Sequence, residues 1–174
     1  MMWQKSKKQL TTLSEASEFA LKLLDNREYG SRELKSRLLK KGASEELAGE
    51  VLTQLQEHQL LDEERYAQAV FTAWRRKKVY GSLHLKAELI NKQVAADLIP
   101  VIMQQLTAEE EAARALAAAD VCLKRRDAKY DCTTQKGVAA LIRYLNARGF
   151  GAEAVSQVLA KVRADLSETL AGQE

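Results

Sequence analysis

Proline is nearly absent, occurring once in 174 residues, and glycine occurs only eight times. With so few breakers, long stretches of backbone are free to stay helical. No segment alternates apolar and polar residues, with Val, Ile and Thr enriched, for long enough to argue a sheet. The two cysteines, Cys122 and Cys132, stand outside any C-x-x-C or Cys/His spacing. A zinc site or a disulfide scaffold is therefore not expected, and both cysteines suit small packing positions. No run of about 18 apolar residues exists to cross a bilayer. The opening MMWQKSKKQLTTLS lacks the apolar core of a secretory signal. A cytoplasmic location with no membrane contact is the expectation.

Catalytic patterns are missing too. His58 and His84 are isolated in sequence, and no Ser/His/Asp or Cys/His arrangement surrounds them. Neither G-x-x-x-x-G-K-[ST] nor G-x-G-x-x-G occurs, so no phosphate-cradling loop is evident. Glu109, Glu110 and Glu111 fall in the first turn of a helix, where acidic residues need no chemical role. The chain reads as a binding or regulatory protein, not an enzyme, with no cofactor.

What is present is helix-forming. Hydrophobic residues make up 46% and charged residues 29%, the balance of a folded protein rather than a disordered one. The class is all-α. Net charge is only +3, too little to argue nucleic-acid binding from bulk charge. Its distribution says more: residues 1–13 carry +3, 14–61 carry −2, 62–106 carry +2 and 107–174 carry none.

The chain also repeats itself. At an offset of 51 residues, Tyr29-Gly30-Ser31 falls on Tyr80-Gly81-Ser82, with Leu34 on Leu85, Leu38 on Leu89 and Val51 on Ile102. At an offset of 107, Gly30 meets Gly137, Leu34 meets Leu141, Leu38 meets Leu145 and Gly42 meets Gly149. The five extra residues of that interval fit the loop-like stretch DAKYDCTTQK. Each unit reads as a long amphipathic helix, a glycine break, a second helix of about ten residues and a third helix. Ala67, Val70, Phe71 and Trp74 form one core-facing stripe at i, i+3, i+4 and i+7. Thr12-x-x-Glu15 and Thr107-x-x-Glu110 are capping boxes, and Asp62 caps the middle unit. Asp97 as an N-cap would set Pro100 in a first turn, where no donor is lost. Gly42 and Gly149 suit left-handed C-caps. The expected architecture is three tandem three-helix bundles in an elongated, gently curved array. Its parts are a loose basic arm at 1–13, repeats at 14–61, 62–106 and 107–165, and a tail at 166–174.

Against that frame, AWRRKKVYG places Arg75, Arg76, Lys77 and Lys78 at the end of a first helix. The 51-residue offset sets Leu24-Asp25-Asn26-Arg27 opposite, so the fold does not require four cations there. A dipole role would need one or two. Four in a row would cover most of the helix circumference, which favours a contact surface for something acidic over a solvated end. Lys124, Arg125 and Arg126 end the corresponding helix of the third unit. Lys41, Lys92 and Arg148 align at the ends of second helices, where the dipole accounts for them, and Lys86 adds a cation between. Trp74 and Tyr80 flank the run and could stack on bases, but the stripe and the repeat with Tyr29 assign both to packing. The candidate contact set is Arg75, Arg76, Lys77, Lys78, Lys86, Lys92, Lys124, Arg125, Arg126 and Arg148.

LLDEERYAQAVFTAWRRKKVYGSLHLKAELINKQV resembles the signature of the RecX regulators, through Leu61, Asp62, Arg65, Tyr66, Ala67, Gly81, Leu85, Glu88, Leu89 and Lys92. REYGSRELKSRLLKKGASEELAGEVL is similar to the family's opening repeat, and KGVAALIRYLNARGFGAEAVSQVL to its C-terminal unit. The likeness covers roughly residues 15–162. Two departures stand out: Gln93 replaces the glycine expected after Lys92, so that helix should run on or end without a left-handed cap, and Glu63 replaces a common aspartate. The resemblance implies a monomeric regulator that binds filaments of the recombinase RecA on single-stranded DNA, with double-stranded DNA as a second partner. It further implies inhibition of filament extension, ATP hydrolysis, strand exchange and co-protease activity, and hence modulation of recombination and the SOS response. An autonomous DNA-binding protein is the alternative, and a helical adaptor for an unrelated partner a third.

Overall fold

The computed structural model describes residues 9–124 and 128–171. Nine α-helices occur among them: α1 (Leu13–Leu24), α2 (Ser31–Lys40), α3 (Glu45–Glu57), α4 (Glu63–Arg75), α5 (Ser82–Asn91), α6 (Leu98–Met103), α7 (Ala108–Leu123), α8 (Gln135–Ala147) and α9 (Ala152–Ala171). The described residues hold no strand, and the all-helical expectation stands. The Ala128–Tyr130 part of the loop-like stretch forms a single 3₁₀ turn.

Helix starts follow the short-range signals. Thr12, Ser44, Thr107 and Thr134 each accept a backbone N–H from three residues on. Asp62 does the same for Arg65 at 2.9 Å. α6 begins directly after Asp97, with Pro100 as its third residue. Helix ends hold one correction. Gly42 and Gly149 adopt φ of +92° and +74°, as a left-handed cap requires. Gln93 does so too, at φ +58°, and α5 stops at Asn91 rather than running on. A side chain is admitted in that conformation at modest strain, so the missing glycine changes the cost of the cap and not its geometry.

Gly137 is another difference. It does not break the chain before α8 but is the helix's third residue, because Thr134 caps two positions before the helix's second residue. A Cβ at Gly137 would collide with the backbone of Asp131, so glycine is needed for close approach rather than for a turn.

Contacts group the chain into two compact units. One runs to Val70 and includes Ile90–Leu98; the other holds Phe71–Leu89 and everything from Ile99. The stretch 62–106 therefore contributes to both. In the first unit α1, α2 and α3 enclose Ala16, Ala20, Leu34, Leu38, Ala48 and Val51, all without solvent exposure. Leu10 is buried in the same core, which ties down the last part of the expected loose arm; residues 1–8 lie outside the described residues. In the second unit α7 packs on α8 and α9 around Ala115, Leu141, Leu145, Phe150 and Val158. α9 runs on through the expected tail as far as Ala171.

Candidate functional site

The basic run leaves its helix sooner than the sequence suggests. α4 ends at Arg75, and residues 76–79 form a turn that leads to Tyr80, Gly81 and α5. Four cations do not ring a helix; three of them sit on a loop. Lys77 N–H donates to the Trp74 carbonyl at 2.8 Å, closing the helix end.

The four side chains divide into two pairs. Arg75 meets Glu110 of α7 at two points, Nε to Oε1 at 3.0 Å and Nη2 to Oε2 at 2.7 Å. Lys77 donates to both carboxylate oxygens of Glu88, at 2.8 and 2.7 Å. Arg76 and Lys78 are exposed and have no ion-pair partner among the described residues. Half of the run is thus neutralised within the fold, and the other half faces solvent.

A residue the sequence reading passed over holds this turn. Arg114 of α7 is buried, and its guanidinium donates to three carbonyls, two of the run and one just after it: Nε to Tyr80 at 3.0 Å, Nη1 to Arg75 at 3.2 Å and Nη2 to Lys77 at 2.6 Å. It lies 4.2 Å over the Trp74 ring. Burial draws its pKa below the ordinary value despite the nearby Glu110 and Glu111 carboxylates. The available signal was position, since Arg114 shares a helical stripe with Ala118 and Cys122, both buried.

Beneath the turn, Trp74 is fully buried and donates its indole N–H to His84 Nδ1 at 3.1 Å. Trp74 is core, as its stripe requires. Tyr80 packs against the His84 ring at 4.0 Å between centroids. Burial pushes the His84 imidazole below its usual range; Glu88 opposes this and Lys77 assists it.

Glutamates in helix first turns carry the next layer. Glu111 Oε1 accepts from Ser82 N at 2.9 Å, Ser82 Oγ at 2.7 Å and Gly151 N at 3.1 Å, so one carboxylate caps both α5 and α9. In the other unit Glu63 Oε1 accepts from Ser31 N at 2.6 Å and caps α2. Glu110 and Glu111 therefore have structural partners that their place in a helix's first turn does not by itself announce. The Glu110 carboxylate turns to Arg75 instead of closing the reciprocal half of its capping box. Gly81 N and Leu83 N donate to the carbonyls of Arg148 and Gly149, at 3.0 and 2.9 Å, which docks the start of α5 on that segment.

The remaining candidates are scattered. Lys86 is exposed on α5. Lys124 caps α7 and pairs with Asp120 at 2.7 Å. Arg148 caps α8 with its guanidinium 3.7 Å over the Tyr144 ring, a packing role rather than an open contact. Lys92 belongs to the other unit, where its carbonyl accepts the Tyr66 hydroxyl at 2.9 Å. Arg125 and Arg126 lie outside the described residues. The structure gathers the Arg75–Lys78 run around Arg114 and does not gather the whole set.

Known proteins resemble this chain in sequence and in fold. A family model described as the first three-helix domain of RecX matches residues 16–55. The regulatory protein RecX of Vibrio parahaemolyticus is 33% identical over 156 residues, spanning 88% of this chain and 94% of that protein. The chain belongs to the RecX family. The RecX of Chlorobaculum tepidum is 31% identical over 146 residues, covering 84% of this chain and 87% of its own. The crystal structure of RecX from Lactobacillus salivarius superposes with a TM-score of 0.76 at 15% identity, across 87% of this chain and 97% of that one. At that identity the likeness concerns the fold. As a RecX-family protein the chain has a regulatory role, and no described helix is long and apolar enough to cross a membrane.

Proposed function

We propose that this RecX-family protein binds RecA filaments assembled on DNA and inhibits their extension, with loss of ATP hydrolysis, strand exchange and co-protease activity. It acts by binding and catalyses nothing itself. The observation that carries the reading is the turn after α4, where Arg76 and Lys78 face solvent from a backbone held by three hydrogen bonds to one buried guanidinium. With the backbone of the turn held, only the side-chain freedom of the two cations is lost on meeting an acidic protein surface or a row of phosphates. Neutralising Arg75 and Lys77 internally leaves two charges for the partner rather than four. A single copy of the chain is the binding unit.

The test is a titration of RecA's single-strand-dependent ATP hydrolysis, including ratios far below one chain per recombinase. Inhibition at such ratios supports an action on the polymer, since competition for DNA alone requires amounts comparable to the available sites. A recombinase that ignores a large excess of the protein overturns the reading.

A further inference from the structure

We infer that Arg114 is a positioning residue whose three-carbonyl clamp sets the arrangement in which Arg76 and Lys78 meet their partner. The inference rests on the filament-binding reading above and concerns how that same surface is presented. Its geometry is specific. The carbonyls of Arg75, Lys77 and Tyr80 all turn toward one planar guanidinium, and Nε, Nη1 and Nη2 each serve one of them. A lysine could serve as a point donor, but it has no rigid fork with which to register three acceptors in one stretch of chain.

Filling space does not explain the residue. Arg114 stands three positions after Glu111, the carboxylate that caps α5. In the other unit, the residue three positions after the equivalent cap Glu63 is Tyr66, a buried side chain whose hydroxyl reaches Lys92 O at 2.9 Å and Glu33 Oε2 at 3.1 Å. A tyrosine therefore suffices for that place in the fold. Burying a cation close to Arg75 is costly unless every donor is satisfied and the charge is offset. Here the offset comes from Glu110, 3.9 Å from Arg114 Nη1, and from the face of Trp74. An arrangement that expensive to assemble fits a turn whose shape matters more than its stability.

Two measurements test this. In the wild-type protein, backbone ¹⁵N relaxation over residues 76–80 should give order parameters near those of a rigid helix, about 0.85, whereas values below about 0.6 would overturn the clamp. The second is a double-mutant cycle of Arg114→Lys with the pair Arg76→Glu and Lys78→Glu, read as the concentration needed to half-inhibit RecA ATP hydrolysis. Reversing the pair should raise that concentration roughly tenfold in the wild type but less than about threefold once Arg114 is lysine, because a loosened turn has already lost the contact. Effects that multiply independently, in variants with native helical circular dichroism, assign Arg114 to the fold alone. Should Arg114→Lys not fold, the relaxation result decides. Should the wild type fail to inhibit RecA, the filament reading falls, and the same cycle read on binding of a labelled single-stranded oligonucleotide still judges the clamp.

Discussion

Arg75 at the end of α4 and Glu110 in the first turn of α7 meet in a two-point ion pair, with contacts of 3.0 and 2.7 Å. The pairing removes the first cation of the basic run from the surface available to a partner. It also brings a carboxylate next to Arg114, which lies beneath the turn. The same run thus contains a structural half and an exposed half.

That division predicts opposite phenotypes. Arg75→Ala should cost about 0.5–1 kcal/mol, since a half-exposed pair is worth little more, even with bidentate geometry. For a chain of this size the thermal midpoint should fall by roughly 2–4 °C per kcal/mol. Arg76→Ala and Lys78→Ala should leave the midpoint unchanged. Thermal melts of the three variants check the assignment, and a destabilised Arg76→Ala would contradict it.

Glycines differ just as sharply. A Cβ at Gly49, inside α3, meets nothing within 4 Å, so Gly49→Ala should stabilise by about 0.5–1 kcal/mol. Gly149 has φ +74°, and a Cβ there lands on the His84 backbone nitrogen. Gly149→Ala should cost about 2 kcal/mol or more, through both strain and the loss of the docked α5 start. Urea unfolding of the two variants should shift the midpoint in opposite directions.

Removal of the shared cap is a third case. Glu111→Ala leaves the backbone donors of Ser82 and Gly151 without their acceptor. At about 1 kcal/mol per lost cap, the expected cost is ~2 kcal/mol. Glu111→Gln should cost less, since its amide oxygen can still accept. Chemical denaturation distinguishes the two, and an alanine variant as stable as wild type would remove the capping role.

His84 should make stability depend on pH. Nδ1 accepts the Trp74 indole proton, so the folded state favours the neutral ring, and burial holds its pKa below the ordinary 6.5. Below 6.5 the unfolded chain binds a proton that the folded chain resists. The contribution is therefore complete above that pH and fades as pH falls toward the depressed folded value. Melts of wild type and His84→Asn between pH 5 and 8 should show the wild-type advantage shrinking on the acid side. A constant difference would contradict the assignment.

Most of the local architecture is legible in the sequence because its causes are local. Trp74 follows from apolar spacing, Thr107 and Asp62 from caps three residues away, and Gly42 and Gly149 from the chirality of the backbone. What escapes the sequence depends on distant partners. Glu111 reaches Ser82 and Gly151, 29 and 40 residues away, and no short motif announces such a bond. Arg114 looks like a stray charge in an alanine-rich helix until Arg75, Lys77 and Tyr80 are brought beneath it. The basic run itself misleads: periodicity continues the helix through four cations, whereas α4 ends at the first and Arg114 binds the carbonyls of Arg75, Lys77 and Tyr80.

The most direct measurement compares wild type with the Arg76→Glu/Lys78→Glu double variant in RecA's single-strand-dependent ATP hydrolysis, both checked for equal helical content. Reversing all four cations would mix a folding defect with a contact defect, so the exposed pair alone is the informative change. The account predicts that the double variant needs roughly tenfold more protein for half-inhibition, as expected when two charge contacts are inverted. Inhibition equal to wild type would show that the clamped turn is not where this protein meets its partner.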